Sequence, residues 1–562
     1  MIGTAPRRGG NVLLVAVGLL VAACGGADAV EGADRDRPPE PSMDLVRFQD
    51  VAGDVGLDFQ HGAYQWAAGG DPAAMMGGGV CWVDYDRDGW LDLFAVNTWS
   101  DGEWGRWREA GGLPASRLYR NDRGRFTDVT DATGAGIETR GNGCVAADLD
   151  GDDWTDLYVT SDRANVLLWN EGGDRFVDGS AAAGVDVSGW QGGAGAGDLD
   201  GDGRLDLFVA GYADTNRPIA GATKGFPNGF EPEPDLVFHN QGASDGERPT
   251  FDDVADEVGV EPTQLDYGLG VVMSDVDRDG DLDVVVANDT QPNRLYLNGP
   301  RPGAPGFGFD EVGRDVGLDD DNAGMGVAAG DYNGDGRPDV AITNLGEQLH
   351  VVARSDGAGA VFVDALAEIG LPDLGAGHTG WGTNWMDADL DGDLDLAMVH
   401  GFIPVGDLVA DRELVRLYEN QAAVGGFVDA TPLVGLDEVG PLLARGSAAA
   451  DFDNDGDLDL AVGTIGGRLA LLRNTGAGGH WLVVAPEPAT PGTVVTVRAN
   501  GAEMRRELLA GSSYLSSEDP RAHFGLGEPD ADVSVIVRWP DGTERTAADA
   551  TVDQTLVISR SS

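Results

Sequence analysis

The stretch Gly324-Met325-Gly326-Val327-Ala328-Ala329-Gly330-Asp331-Tyr332-Asn333-Gly334-Asp335-Gly336-Arg337-Pro338-Asp339-Val340-Ala341-Ile342-Thr343 decides the fold. A glycine-rich apolar run enters an acidic loop, and a second apolar run leaves it. Asp331, Asn333, Asp335 and Asp339 stand at loop positions 1, 3, 5 and 9, with Gly336 at the sharp turn. The pattern D-x-(D/N)-x-D-(G/D)-x-x-D occurs seven times. The first copy has Asp84, Asp86, Asp88, Gly89 and Asp92; the second has Asp148, Asp150, Asp152 and Asp156, with Asp153 in the glycine slot. The third has Asp198, Asp200, Asp202, Gly203 and Asp206, and the fourth Asp275, Asp277, Asp279, Gly280 and Asp283. After the fifth, quoted above, come Asp387, Asp389, Asp391, Gly392 and Asp395, then Asp451, Asp453, Asp455, Gly456 and Asp459.

Four carboxylates in one tight loop repel one another unless a hard cation lies among them, and oxygen ligands at positions 1, 3, 5 and 9 suit calcium. Up to seven calcium ions are expected, with Asp153 and Asn333 marking the two loops that depart from the pattern. An EF-hand would carry a Glu at position 12 and flanking helices. Here aliphatic runs such as 91–96 and 282–287 follow, so the loops join strands.

Each unit adds a third strand, as in Leu118-Tyr119-Arg120-Asn121, Leu295-Tyr296-Leu297-Asn298 and Leu417-Tyr418-Glu419-Asn420, and a fourth marked Phe-x-Asp, as in Phe126-Thr127-Asp128 and Phe427-Val428-Asp429. Four short antiparallel strands per repeat predict an all-β, seven-bladed β-propeller spanning 44–478. The last repeat lacks its Phe-x-Asp strand, while Phe48-Gln49-Asp50-Val51 stands unpartnered before the first loop. The N-terminal strand is therefore expected to complete the seventh blade and remove the open edges. Residues 479–562 predict a small, independently folding β-rich domain, with Val533, Val535, Val537 and Trp539 alternating against Ser534, Ile536 and Arg538.

A formal net charge of -59 over 562 residues excludes a phosphate-tracking surface, so no nucleic acid partner is expected. Arg7 and Arg8 followed by the apolar run 12–23 read as an export signal, too short to span a bilayer permanently. Val21-Ala22-Ala23-Cys24-Gly25 resembles a bacterial lipobox. The expectation is a lipoprotein signal peptide over 1–23, an acylated Cys24, and a flexible tether over 24–43, placing the protein in the bacterial cell envelope, at the outer membrane or cell surface. The lipid anchor would be its sole membrane contact. Cys81 and Cys144 lie in equivalent strands of neighbouring repeats, offset by one residue and hence on opposite strand faces. A disulfide and two buried free thiols both remain open.

Alternate connections of up-and-down blades lie at opposite ends, so the acidic loops mark one face. Long inserts at 98–116, 212–235 and 401–413 mark the other, where Trp99, Trp104 and Trp107 offer a recognition surface or pack their loop down. His61, His378 and His400 fall on or near that face, where three imidazoles could hold a transition metal. His239, His350, His480 and His523 read as structural. The sequence carries no nucleophile elbow, zinc helix or phosphate-cradling loop.

These residues together resemble FG-GAP (VCBS-type) repeat propellers, the calcium-binding propeller also found in integrin α subunits. Phe59-Gln60-His61, Met76-Gly77-Gly78-Gly79-Val80 and Asp84-Tyr85-Asp86 are similar to bacterial relatives of cartilage acidic protein. His480-Trp481-Leu482, 511–516, 519–527 and 538–542 resemble the ASPIC/UnbV domain with which those relatives end. The resemblance covers about 44–562 and implies a calcium-stabilised, exported interaction protein. The expected function is a non-enzymatic binding or adhesion module for an extracellular or cell-surface protein or glycan. The alternative is an extracytoplasmic metal-dependent enzyme or accessory subunit built on His61, His378 and His400.

Overall fold

The computed structural model of the chain describes residues 43–561, apart from 44, 67–68, 224, 244–246, 261–265, 304, 358, 422–424, 477 and 529–531. The expected signal peptide, Cys24 and nearly all of the tether lie outside the described residues. No helix among the described residues is long and apolar enough to cross a membrane.

The acidic motif punctuates antiparallel four-stranded sheets, because each loop reverses the chain between a glycine- or alanine-rich first strand and an aliphatic second one. Sheet 1 runs Val80–Val83, Asp92–Ala95, Arg117–Asn121 and Phe126–Asp128. Sheets 2 to 6 repeat this order, with first strands Gly141–Ala147, Gln191–Gly197, Gly268–Ser274, Gly324–Gly330 and Gly380–Met386. Sheet 7 takes three strands from Ala444–Ala450, Asp459–Thr464 and Ala470–Asn474, and its fourth from Phe48–Asp50. That fourth strand pairs Phe48 with Asn474 and Asp50 with Leu472, as the unpartnered Phe-x-Asp predicts.

First strands of successive sheets pack side by side, and Ala444–Ala450 of sheet 7 packs on Val80–Val83 of sheet 1, giving a propeller-like circuit. The core lies between sheets. Trp82 and Phe126 of sheet 1 meet Phe452 of the seventh loop, whereas Cys81 and Val83 face Cys144 and Leu157 of sheet 2. Cys81 and Cys144 form a disulfide with a Cα separation of 6.1 Å. The one-residue offset explains it: the forward face of one sheet meets the backward face of the next, so cysteines on opposite faces are the ones that meet.

Side-chain amides stitch the circuit. Asn170 donates through Nδ2 to Tyr85 O at 2.9 Å, Asn240 to Leu149 O at 3.0 Å and Asn298 to Leu199 O at 2.8 Å, each reaching back to position 2 of the preceding sheet's loop. Asn420 and Asn474 repeat the contact on Tyr332 O and Ala388 O, and Asn121 of sheet 1 donates to Phe452 O of sheet 7 at 2.7 Å. Ser355 stands at the equivalent place in sheet 5.

Residues 480–559 form a three-stranded sheet, Ala522–Gly527 with His480–Glu487 and Gln554–Ser559, and a four-stranded sheet of Ala502–Glu507, Val494–Ala499, Val533–Arg538 and Glu544–Ala550. Their shared apolar interior includes Phe524, Val535 and Trp539. This domain also bonds to the sheets of 80–474. Residues 510–519 run among the first strands: Ala196, Val327, Cys144 and Trp82 donate backbone N–H groups to the carbonyls of Ala510, Ser513, Leu515 and Ser517 at 2.8–3.2 Å. Asp519 N–H donates to Ala449 O at 3.1 Å, and Thr383 N–H to Ser513 Oγ at 3.0 Å. Register shifts interrupt six of the first-strand ladders, and at three of them, ending at Cys144, Val327 and Thr383, a bond to this segment forms at the shift. Gly511 permits the approach, since a Cβ there would stand 2.1 Å from Ala194 O and its φ is +94°.

Candidate metal loops and the opposite rim

All seven loops share one backbone path. Position 6 is left-handed throughout, with φ from +70° at Asp153 to +104° at Gly280, so the aspartate in the glycine slot adopts the same turn. Position 4 is left-handed as well, at Arg87, Gly151, Gly201, Arg278, Gly334, Leu390 and Asn454. In loop 1 the position 1 carboxylate of Asp84 accepts the N–H of Asp88 at 3.1 Å and of Gly89 at 3.0 Å. Asp331 does the same for Asp335 and Gly336, so Asn333 leaves the turn intact.

Position 9 is a brace. Asp92, Asp156, Asp206, Asp283, Asp339, Asp395 and Asp459 are all buried. One oxygen of each accepts the position 2 N–H at 2.9–3.4 Å. The other accepts the backbone N–H at the end of the third strand at 2.7–2.9 Å. Burial raises Asp92 to about 9 and Asp283 and Asp339 to about 8, with neighbouring loop carboxylates adding to the effect. Burial likewise raises Asp84 to about 6.

Carboxylate oxygens of Asp84, Asp86 and Asp92 lie within 4.8 Å of one another, as do those of Asp148, Asp150 and Asp156, of Asp198, Asp200 and Asp206, and of Asp275, Asp277 and Asp279. Buried Oδ1 atoms of Asp86, Asp275, Asp387, Asp389 and Asp453 receive no hydrogen bond. Orphaned anionic acceptors converging at this spacing fit a hard divalent cation, and these clusters could hold a metal ion.

Sequence reasoning missed what stands beside position 3. The residue before the third-strand Asn, or before Ser355 in sheet 5, varies from sheet to sheet, being Arg120, Trp169, His239, Leu297, Arg354, Glu419 and Arg473 in turn, and in sheets 3 and 7 it reaches position 3. His239 Nε2 lies 3.0 Å from Asp200 Oδ2, and Arg473 Nη2 lies 2.6 Å from Asp453 Oδ2. At loop 2 the cation comes from the neighbouring sheet: Arg248, between the third and fourth strands of sheet 3, stacks over Trp169 and pairs with Asp150. The repeated third-strand signature carried this position in plain view, but its side-chain direction depends on the register between strands.

The C-terminal domain reaches the acidic face. Arg505 donates to Gly336 O at 2.9 Å, Gly525 N–H to Asp387 Oδ2 at 2.9 Å, and Arg521 to Asn454 Oδ1 at 2.8 Å. His523 Nε2 donates to Gly456 O at 2.7 Å.

On the opposite rim the expected histidine trio is rearranged. His350, read from sequence as structural, stacks on His400 with Nε2 atoms 3.4 Å apart. His350 Nδ1 accepts Asn344 N–H, and His400 Nδ1 donates to Leu414 O. His378 lies between Glu413 and Arg416, at 3.3 and 2.9 Å. Every nitrogen of this group therefore has a protein partner. Burial holds His350 down at about 3 and His400 well below the usual imidazole range. His61 sits instead beside Arg445, its Nδ1 accepting the N–H groups of Gly466 and Ala63. Of the three histidines that could hold a transition metal, His378 and His400 lie together with His350, and His61 lies beside Arg445.

The tryptophans divide. Trp99 is buried, Trp104 is 50% exposed, and Trp107 meets Trp66 edge-on at 4.9 Å between centroids. Trp66, itself 43% exposed, was missed in the sequence because it lies outside the inserts. Arg106 lies over Trp66 and Arg108 over Trp104. Buried Glu103 accepts the N–H groups of Gln65 and Trp66, and buried Arg140 binds Asp71, Asp101 and Asp162, so the patch is fixed to the scaffold. Phe402, Val409 and Ile219 expose further apolar surface on the other two inserts.

The FG-GAP-like repeat model matches residues 84–159, 148–209 and 275–342, and the FG-GAP repeat model matches 323–364. The ASPIC and UnbV model matches 485–562. Cartilage acidic protein 1 of Mus musculus is 29% identical over 320 residues, covering 54% of this chain and 47% of that protein. The Homo sapiens protein is 29% identical over 320 residues, covering 54% and 46%. The chain thus spans about half the length of the curated relatives it matches. Among solved structures, an Agrocybe aegerita lectin that recognises non-reducing terminal N-acetylglucosamine matches with a TM-score of 0.37 and 18% identity, over 65% of this chain and 89% of that one. The V. cholerae biofilm matrix protein Bap1 matches with a TM-score of 0.30 and 12% identity, over 88% and 76%. The chain is an all-β protein of FG-GAP repeats with a C-terminal ASPIC/UnbV domain, homologous to the cartilage acidic protein 1 family.

Proposed function

We propose that the protein is a calcium-stabilised binding module of the cell envelope, tethered through an acylated Cys24, whose insert-bearing rim holds an extracellular protein or glycan. In this reading the ring is a closed seven-bladed propeller, with calcium in the acidic loops of one face and recognition on the other. Residues at loop positions 1, 3 and 5 would hold the ions, with the position 9 carboxylates beneath them. Calcium supplies the positive charge that lets these buried carboxylates ionise together.

The single observation that carries recognition is the Trp66–Trp107 pair beside half-exposed Trp104, with arginines over the rings and Glu103 and Arg140 fixing their loop. Rigid, exposed aromatics flanked by cations are typical anchors for a partner. The test is binding of the full chain to a glycan array and to immobilised extracellular matrix proteins, repeated with Trp66→Ala and Trp104→Ala. A ligand found on either support should lose about tenfold or more in affinity with each substitution, the loss seen on truncating a moderate hot spot. Undiminished binding by the double variant would reject the rim as the site. Melting unchanged by EGTA would reject the calcium reading.

A further inference from the structure

Three features together set the chemistry of loop 6. The first is charge. Where His239 and Arg473 stand beside position 3 of loops 3 and 7, and Arg248 of sheet 3 pairs with position 3 of loop 2, sheet 6 brings Glu419. Glu419 is 1% exposed, and its negative charge acts on both Asp389 and Asp391. With Asp387 and Asp395, five carboxylates converge on one loop.

The second is an orphaned acceptor. Asp387 is wholly buried, and its Oδ2 accepts the N–H groups of Gly392 at 3.1 Å and of Gly525 at 2.9 Å. Its Oδ1 receives no hydrogen bond, and the like charges acting on it most strongly are those of Asp391 and Asp389. A buried carboxylate oxygen with no donor, among like charges that the buried Arg506 guanidinium offsets only in part, is the environment a hard cation completes.

The third is the backbone. Position 4 is occupied by Leu390, an aliphatic side chain at φ +62° that is 1% exposed. Its carbonyl accepts Gly527 N–H at 2.7 Å. A Cβ on Gly525 would stand 2.3 Å from Asp387 Oδ2 and 2.4 Å from Leu390 Cα. The C-terminal strand Ala522–Gly527 therefore lies directly on the loop.

We propose that loop 6 is the tightest calcium site of the chain, with Glu419 as a fifth carboxylate ligand, and that its cation fastens strand Ala522–Gly527 onto the ring. The inference rests on the calcium reading given above. Asp387 is the mechanical link, because one carboxylate serves the cation through one oxygen and Gly525 through the other. Removal of the cation leaves five carboxylates, of which Asp387, Asp395 and Glu419 are buried, in mutual repulsion, and the loop relaxes away from the shape on which Gly525 and Gly527 dock. Linkage is reciprocal, so loosening the strand must also weaken the site.

The test uses the full chain stripped with EGTA and titrated with calcium. Isothermal calorimetry reads the tightest phase, and hydrogen exchange of peptides spanning 522–527 reads the clasp. Glu419→Gln should weaken the tightest phase about tenfold or more, as expected for losing one ligand charge. Protection of 522–527 should then require correspondingly more calcium. Gly525→Ala, which keeps every carboxylate, should weaken the same phase through the displaced strand. Asp202→Asn in loop 3 should change a weaker phase and leave 522–527 unaffected. An unchanged tightest phase in both Glu419→Gln and Gly525→Ala, or protection of 522–527 that ignores calcium, overturns the inference alone. Failure of the wild-type chain to take up calcium overturns the calcium reading and this inference together.

Discussion

Replacing Tyr514 with Ala measures how far the segment within the circuit of first strands holds the ring and the C-terminal domain together. Tyr514 is fully buried, donates its hydroxyl to Met76 O at 2.9 Å, and meets Trp381 edge-on at 4.9 Å between centroids. Emptying a buried aromatic site costs about 3–5 kcal/mol. Stranding the Met76 carbonyl adds roughly 1 kcal/mol. Tyr514→Phe isolates that second contribution. Urea unfolding at saturating calcium, followed by tryptophan fluorescence, should therefore show losses of about 4–6 kcal/mol for Ala and about 1 kcal/mol for Phe. Because residues 510–519 bond to first strands all round the circuit, the ring and 479–562 should unfold in one transition. Equal losses in the two variants, or a ring transition that ignores Tyr514→Ala while the C-terminal domain melts separately, would refute the reasoning.

Further expectations concern charge, closure and the disulfide. The buried position 9 aspartates have folded values of about 9 for Asp92 and about 8 for Asp283 and Asp339, above the ordinary 3.8. In EGTA these groups favour the folded state while protonated, so stability is full near pH 4 and falls as pH rises toward about 8 to 9. Melting scans in EGTA between pH 5 and about 8 should decline, and excess calcium should remove the decline; a rising curve in EGTA would contradict the assignment. Asn121→Ala deletes the amide joining sheet 1 to Phe452 O and Leu91 O and should cost about 1–3 kcal/mol in chemical denaturation. Paired Cys81→Ser and Cys144→Ser should cost about 2–4 kcal/mol by the same assay, and unchanged stability would show that the cross-link contributes nothing.

Local chemistry explains what was legible in the sequence. Asp331 to Asp339 announces a turn, its apolar flanks announce strands, and Phe48-Gln49-Asp50 was readable as a missing partner because its counterpart after Asn474 is absent. Even Asp153 obeys the loop, since aspartate tolerates the left-handed backbone that its slot requires. Contacts between distant segments were illegible. Nothing in Gly511-Ser512-Ser513-Tyr514 states that it threads among strands hundreds of residues earlier, and His350 gave no sign that it would face His400. Cys81 and Cys144 show a correct local inference needing one further fact: their opposite-face placement brings them together once adjacent sheets are stacked.

The loan of strand Phe48–Asp50 to sheet 7 has a kinetic consequence. Asp50 accepts a hydrogen bond from Leu471 across 421 positions of chain, so this seam closes only after almost everything between has been made. Entropy for closing so long a loop grows only logarithmically with length, yet the wait exposes an apolar edge on the growing polypeptide. Vectorial synthesis therefore leaves the first strand of the described residues among the last to find its place, and residues near 515, made later still, add their bonds to strands already in place.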